Sequence, residues 1–305
     1  MKDNLIRLIN ISLLMFGLLF SNSQTQLNGS IEYFYMTRLT DFSVINIPFR
    51  ALDFHVQHQN GNVDVIANLS LEYRSKKDTD FLVDSDLEDF SMDIRELYLG
   101  YYLKNGEVRI GKQIHSWGNV DENSPIDNLN AYDYYYLLLG GSEKKLGSYS
   151  MAIDYYFLED SNLKLSYVFS PMHNTSRFPV NDPEYPIGLP EEANPSDATL
   201  ILNDSRPYES SVNLRYSFNF GDISFSHLYM YDRIFNLTGV NVYTNTSGIL
   251  FEAVPLYSYR LTKAYSFGGV FLFDDFTLRF DVARFNSKDQ NNQDDLNIPH
   301  PDPDK

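Results

Sequence analysis

The chain has no cysteine. That excludes disulfides, thiolate metal sites and lipidation at an N-terminal cysteine. A secreted chain without disulfides must take its stability from a large fold, and the ladder of a closed barrel supplies it. Positive charge is also scarce, with 24 Lys and Arg against 41 Asp and Glu and a net charge of −17. Nucleic acid is excluded as a partner, because a basic stripe would be required. Past the N-terminus no apolar run reaches the ~20 residues that a membrane helix needs. If the protein sits in a membrane, it crosses as strands.

What the chain does have is aromatic surface, with 23 Tyr and 22 Phe. A phenol has an apolar body and a polar tip, which suits a boundary between lipid and water. Soluble β-sandwiches can be Tyr-rich too, so composition leaves both open. Residues 1–23 read as a signal peptide: Lys2 and Arg7 precede a mostly apolar stretch from Leu8 to Phe20, and Ser21-Asn22-Ser23 offers small residues before Gln24.

From Gln24 on, short runs alternate apolar with polar and are parted by turn residues. Eleven strands are predicted, at 26–38, 49–59, 62–74, 91–104, 107–117, 149–157, 163–170, 209–218, 223–231, 256–273 and 276–286. Short connections at Asn60-Gly61, Asn105-Gly106, 159–162, 219–222 and Asp274-Asp275 alternate with long ones at 39–48, 75–90, 118–148, 171–208 and 232–255. Outer-membrane barrels alternate tight periplasmic turns with long external loops in this way. Greek-key sandwiches mix the two lengths at both ends. The expected fold is therefore all-β, an antiparallel up-and-down transmembrane β-barrel occupying 24–305. The odd strand count and a tail without a final aromatic strand make it an N-terminal fragment of a longer barrel, unless a further strand lies in 240–255.

Turn chemistry predicts register. With Asn105-Gly106 as a two-residue type I′ turn, Leu103 faces Val108 and Tyr101 faces Ile110 on one side; Tyr102 faces Arg109, Tyr98 faces Gln113 and Glu96 faces His115 on the other. With Asn60-Gly61 as the turn, Phe54 faces Ala67 and Asp53 faces Asn68. The last hairpin sets Phe271 against Leu278, Val270 against Arg279 and Gly268 against Asp281. Each pair of strands has one apolar and one polar face. Lys112 is the exception, placed among apolar residues opposite Leu99.

One stretch is distinctive: Gly111-Lys112-Gln113-Ile114-His115-Ser116-Trp117-Gly118, then Ser124-Pro125-Ile126-Asp127, then Asp154-Tyr155-Tyr156-Phe157, Asn162-Leu163 and a Pro-rich loop from Pro171. It resembles a porin-like bacterial outer-membrane β-barrel family of largely unassigned function, over about residues 91–180. The resemblance implies a barrel with more strands than these, a role in transport, and no catalytic residues. Lys112 stands where Arg is commoner in that family.

The functional expectation is a porin-like channel in the outer membrane of a Gram-negative bacterium, passing small solutes by passive diffusion. The alternative is a non-pore barrel acting as receptor, adhesin or structural protein. The wall candidates are Asp53, Glu96, Tyr98, Tyr102, Arg109, Gln113, His115, Arg279 and Asp281. Trp117 reads first as an interface-belt aromatic, otherwise as an anchor for 118–148. Glu96 and His115 read as a cross-strand polar pair. His115 and Ser116 point to opposite faces, which disfavours a hydrolase. The acidic loop clusters lack EF-hand spacing and read as solvated charge that would favour cations at the mouth. Whether 171–208 folds into the lumen or caps it stays open. No cofactor or metal is expected. The expected partners are outer-membrane lipid and small solutes, with homo-oligomerisation left open.

Overall fold

A computed structural model describes residues 24–33, 36–42, 48–73, 90–121, 123–136, 144–157, 162–178, 199–200, 207–244 and 251–288. The signal-peptide stretch, the acidic cluster at 84–89 and most of 171–208 lie outside them. The strands, in chain order, are β1 (Gln24–Ile31), β2 (Phe49–Asn60), β3 (Val63–Tyr73), β4 (Phe90–Leu103), β5 (Gly106–Gln113), β6 (Ser148–Tyr156), β7 (Leu163–Ser170), β8 (Thr199–Leu200), β9 (Glu209–Phe218), β10 (Gly221–Tyr231), β11 (Asn236–Thr244), β12 (Phe251–Tyr259), β13 (Leu261–Leu272) and β14 (Thr277–Ser287). The fold is all-β. Eleven strands form one antiparallel up-and-down sheet in the order β1-β2-β3-β4-β5-β6-β7-β9-β10-β13-β14. Among the described residues, β1 and β14 are its outer strands.

The described residues of the connection at 232–255 include two strands. β11 and β12 pair with each other and carry the β10–β13 hairpin onward, with Asp232 N donating to Arg260 O at 2.8 Å at the junction. The expected strand 256–273 is thus split at Arg260. β8 adds two parallel residues to β12.

The period-2 pattern decides which face each residue takes. One apolar row crosses five strands: Leu165, Leu214, Phe225, Phe267 and Val282 are successive cross-strand partners. The polar row beside it is Lys164, Arg215, Ser224, Gly268 and Asp281. Burial runs opposite to that of a water-soluble protein. Ile110, Phe225 and Val282 are 56%, 54% and 62% exposed, while Ser70, Gln113 and Ser224 are each 1% exposed.

Register follows the expectation at the last hairpin, with Phe271↔Leu278, Val270↔Arg279 and Gly268↔Asp281. At the other two it is shifted by two residues. Leu103 pairs Gly106 and Tyr102 pairs Glu107, so the turn residues are Lys104-Asn105. The reason lies in Gly106. A Cβ there would run into the Asp154 carbonyl oxygen of β6, so this glycine serves close strand approach rather than positive φ. Likewise Asn60 pairs Val63, Phe54 pairs Leu69 and Asp53 pairs Ser70. Gly61 takes the left-handed conformation (φ 58°) as the first turn residue. A shift of two leaves every side chain on its expected face.

Lys112 sits opposite Leu97, not Leu99. A register irregularity in β4, where Asn68 pairs Glu96 but Leu69 pairs Ile94, brings Asp93 within 3.2 Å of Lys112 Nζ. The lysine on the apolar face is therefore neutralised by a neighbour.

Candidate functional site

The polar face of the sheet is covered by the chain's own segment 114–136, which follows β5. It crosses from β2 and β3 on one side to β14 on the other. The 171–208 loop contributes its first residues to the same layer, through Arg177.

The segment starts in a buried polar clamp. Asn130 Oδ1 accepts from His115 N at 2.6 Å, and Asn130 Nδ2 donates to Gln113 O and Leu146 O at 3.0 and 2.9 Å. Lys145 Nζ donates to His115 O, Ser116 Oγ and Asp127 Oδ2 at 2.8, 2.8 and 2.5 Å. The Ser-Pro-Ile-Asp tetrad makes the next turn, where Ser124 O accepts from Asp127 N at 3.1 Å. These bonds fold back the backbone donors that a loop beneath a sheet must satisfy internally.

The far tip is fixed by Asp281 of β14. Its carboxylate accepts from Asn119 N (2.7 Å), Asn119 Nδ2 (2.6 Å), Val120 N (3.1 Å) and Ser124 Oγ (2.6 Å). Arg279 pairs with Asp121 beside it. Gly268 leaves the room: a Cβ there would overlap Asp281 and come within 2.5 Å of Asn119 Nδ2 and 2.9 Å of Ile126 Cδ1. Leu129 packs into a small apolar cluster with Ala152, Val168, Leu228, Met230 and Ala264, joined by Trp117. Trp117 is therefore not a belt aromatic; its side chain packs, partly buried, against this cluster on the polar face.

The near end is held by charge. Arg177 bonds Glu72 of β3 at 2.9 Å and Asp133 at 2.7 Å. Arg50 of β2 stacks on the Tyr136 ring at 4.0 Å. Burial, above all, pushes the Asp133 carboxyl above its ordinary range, with Arg177 pulling the other way. Burial likewise lifts the Tyr132 phenol to about 12. At the middle, Arg233 Nε and Nη2 donate to Asn128 O and Leu129 O, each at 3.0 Å, and Arg233 Nη1 pairs with Glu209 at 2.7 Å.

The nine wall candidates all fall on or beside the polar face, but not together. Arg109 and His115 border a half-open space of about 150 Å³ between β5, β6, β7, β9 and the segment. Arg109 bonds Asp154 at 3.0 Å and Glu107 at 2.7 Å. Gln113 Nε2 donates to Ser150 O at 3.0 Å, and Tyr98 lies in the neighbouring row opposite Gly111. Arg279 and Asp281 hold the segment's tip. Asp53, which accepts from Ser70, and Tyr102, which donates to Asp64 at 3.2 Å, stand apart on β2 and β4. Glu96 and His115 do not pair: Glu96 accepts from Asn68 Nδ2 (3.2 Å) and Ile114 N (2.9 Å), and His115 Nε2 hydrogen-bonds Ser150 Oγ at 2.9 Å.

Sequence reasoning missed Asn119, Asn130 and Lys145, which fold the segment inward. A signal was present. Ser148, Ser150, Ser166, Ser211, Ser224, Ser226 and Ser266 recur on the polar face and are buried. Small hydroxyls leave space for a second layer of chain that long charged side chains would fill.

No protein-family model and no curated protein matches the sequence. Among solved structures, the siderophore receptor PirA from Acinetobacter baumannii aligns over 88% of this chain at 10% identity and a TM-score of 0.30. The chain spans 42% of that receptor's length. So distant a likeness does not bear on the site.

Proposed function

We propose that the chain forms part of a β-barrel in the outer membrane of a Gram-negative bacterium and works as a porin-like channel for small solutes, with the segment 114–136 as its constriction. The observation that carries this reading is the inverted burial: an exposed apolar row backs a buried polar row along the same strands. In water, each exposed side chain such as Phe225 forgoes ~1.5–3 kcal/mol of burial, and the row repeats it strand after strand. Against lipid that cost disappears. Strands such as β2, β3, β10, β13 and β14, of 11 or 12 residues, meet the ~9–11 residues that a tilted membrane strand needs.

The curvature supports it too. Residues 114–136 touch β14 at Asp281 and, through Asp133, Arg177 and Tyr136, reach β2 and β3. A flat sheet would hold those strands tens of ångströms apart at ~4.8 Å per strand. A sheet curled around the segment accounts for these contacts with the least stretching of the chain.

The test is direct. The full-length protein should fractionate with outer membranes and give discrete conductance steps in planar bilayers. A freely water-soluble protein would sink the membrane reading. A folded, membrane-borne protein that passes no current would favour the receptor or adhesin reading, for which the exposed Leu237, Val240 and Val242 of β11 offer a surface.

A further inference from the structure

We infer that the cavity between β5, β6, β7, β9 and the segment is a binding subsite for a small oxyanion, a carboxylate or a phosphate. This rests on the pore reading and names the solute class for which that pore is built.

Three observations carry it. The first is charge. Arg109, Lys164 and Arg215 border the cavity, and Asp154 is the one carboxylate among its lining residues. Three cations thus face one lining carboxylate, with Glu107 on Arg109 at 2.7 Å just outside the lining, in a chain of net charge −17. Asp154 is already engaged, with Arg109 Nη2 at 3.0 Å, Lys164 Nζ at 3.2 Å and Ser166 Oγ on its two oxygens.

The second is pairing. Lys164 and Arg215 are direct cross-strand partners. Like charges set opposite each other destabilise a sheet. Arg215 finds Asn119 Oδ1 at 3.3 Å and Asp222 only at the long distance of 3.8 Å. An anion between the two side chains turns their repulsion into shared attraction.

The third is an unused donor. Asn213 is 4% exposed and borders the cavity, and among the described residues its Nδ2 has no hydrogen-bond acceptor. A buried donor without a partner costs ~1–3 kcal/mol. An oxyanion oxygen supplies the missing acceptor, as a charge-assisted bond. The space of about 150 Å³ is several times the ~30 Å³ that one water takes up in the liquid, enough for phosphate or a small dicarboxylate.

The experiment uses the full chain folded in detergent and in planar bilayers, with inorganic phosphate and succinate as probes over a chloride background. Titration calorimetry should show saturable binding of at least one probe, and the same probe should lower the chloride current with matching concentration dependence. Comparing the two probes tells phosphate from carboxylate. Lys164→Gln combined with Arg215→Gln should weaken binding at least tenfold. Asn213→Asp, nearly isosteric, should do the same even if the double variant fails to fold, and Arg215→Lys should retain much of the affinity. Current without binding of either probe overturns the subsite and leaves the pore standing. Binding without current overturns the pore and keeps the subsite. Binding that is unchanged in Asn213→Asp and in the double variant also overturns it.

Discussion

Replacing Asp281 by alanine should release the tip of segment 114–136 from the sheet. Four donors converge on that carboxylate: Asn119 N, Asn119 Nδ2, Val120 N and Ser124 Oγ, between 2.6 and 3.1 Å. A hydrogen bond to a charged group contributes ~1.5–3 kcal/mol, and the terms do not add. Water can reach donors on a polar face, so a net loss of about 2–4 kcal/mol in docking is the working figure, well below four times the single-bond value. At 1.4 kcal/mol per factor of ten, the undocked population rises about 30- to 700-fold. The chain contains no cysteine, so a single introduced thiol reports without background. Ile126 is 1% exposed and lies in the docked segment. In an Ile126→Cys background, maleimide labelling under native conditions should be slow with Asp281 present and faster by that factor in Asp281→Ala. In bilayers the same variant should show larger or noisier current. Equal labelling rates in the two proteins would refute the idea that Asp281 holds the segment down.

Gly268→Val should undock the same tip by crowding, since its added carbon meets Asp281, Asn119 and Ile126; overpacking of ~1–3 kcal/mol should appear as faster labelling at Leu129→Cys, and no change would count against the close fit. Asp93→Asn should strand the Lys112 charge on the apolar face at a cost of ~2–4 kcal/mol, seen as a lower unfolding temperature in detergent, whereas Asp93→Asn with Lys112→Met should recover most of the loss; two independent, additive effects would show that the 3.2 Å pair does not matter. The Asp133 carboxyl is held above its ordinary value of 3.8, chiefly by burial, so its contribution to folding is full below that value and fades as pH rises through the folded pKa. Asp133→Asn fixes the neutral form, so the variant's melting temperature relative to the wild type should be higher at pH 8 than at pH 4. A constant difference would contradict that sign. Finally, Val282→Arg on the exposed row should reduce membrane assembly, while Ala283→Arg on the neighbouring position should do so less.

The alternation of apolar and polar residues determined the main sheet. It located all eleven of its strands and assigned Phe225, Val282, Arg109 and Asp281 to their faces, because a strand's side chains can only alternate. It told tight turns from long connections by composition, but it did not show the paired strands β11 and β12 inside 232–255. Register was less legible. Asn-Gly predicted the turns to within two residues, but Gly106 serves close approach to Asp154, and nothing local in the sequence says which strand will press against a glycine. The Lys112–Asp93 pair was hidden for a similar reason, since an irregularity in β4 depends on the pairing partner and not on the strand's own pattern. The segment 114–136 was wholly a tertiary decision. Its Asn119, Ser124 and Asn130 read as ordinary loop residues, and the acceptor that fixes its tip, Asp281, lies 157 residues beyond Ser124. Local propensity carries no information over that distance. Only the tertiary fold brings β14 to the tip, and only then do buried donors and a carboxylate have each other in place of water.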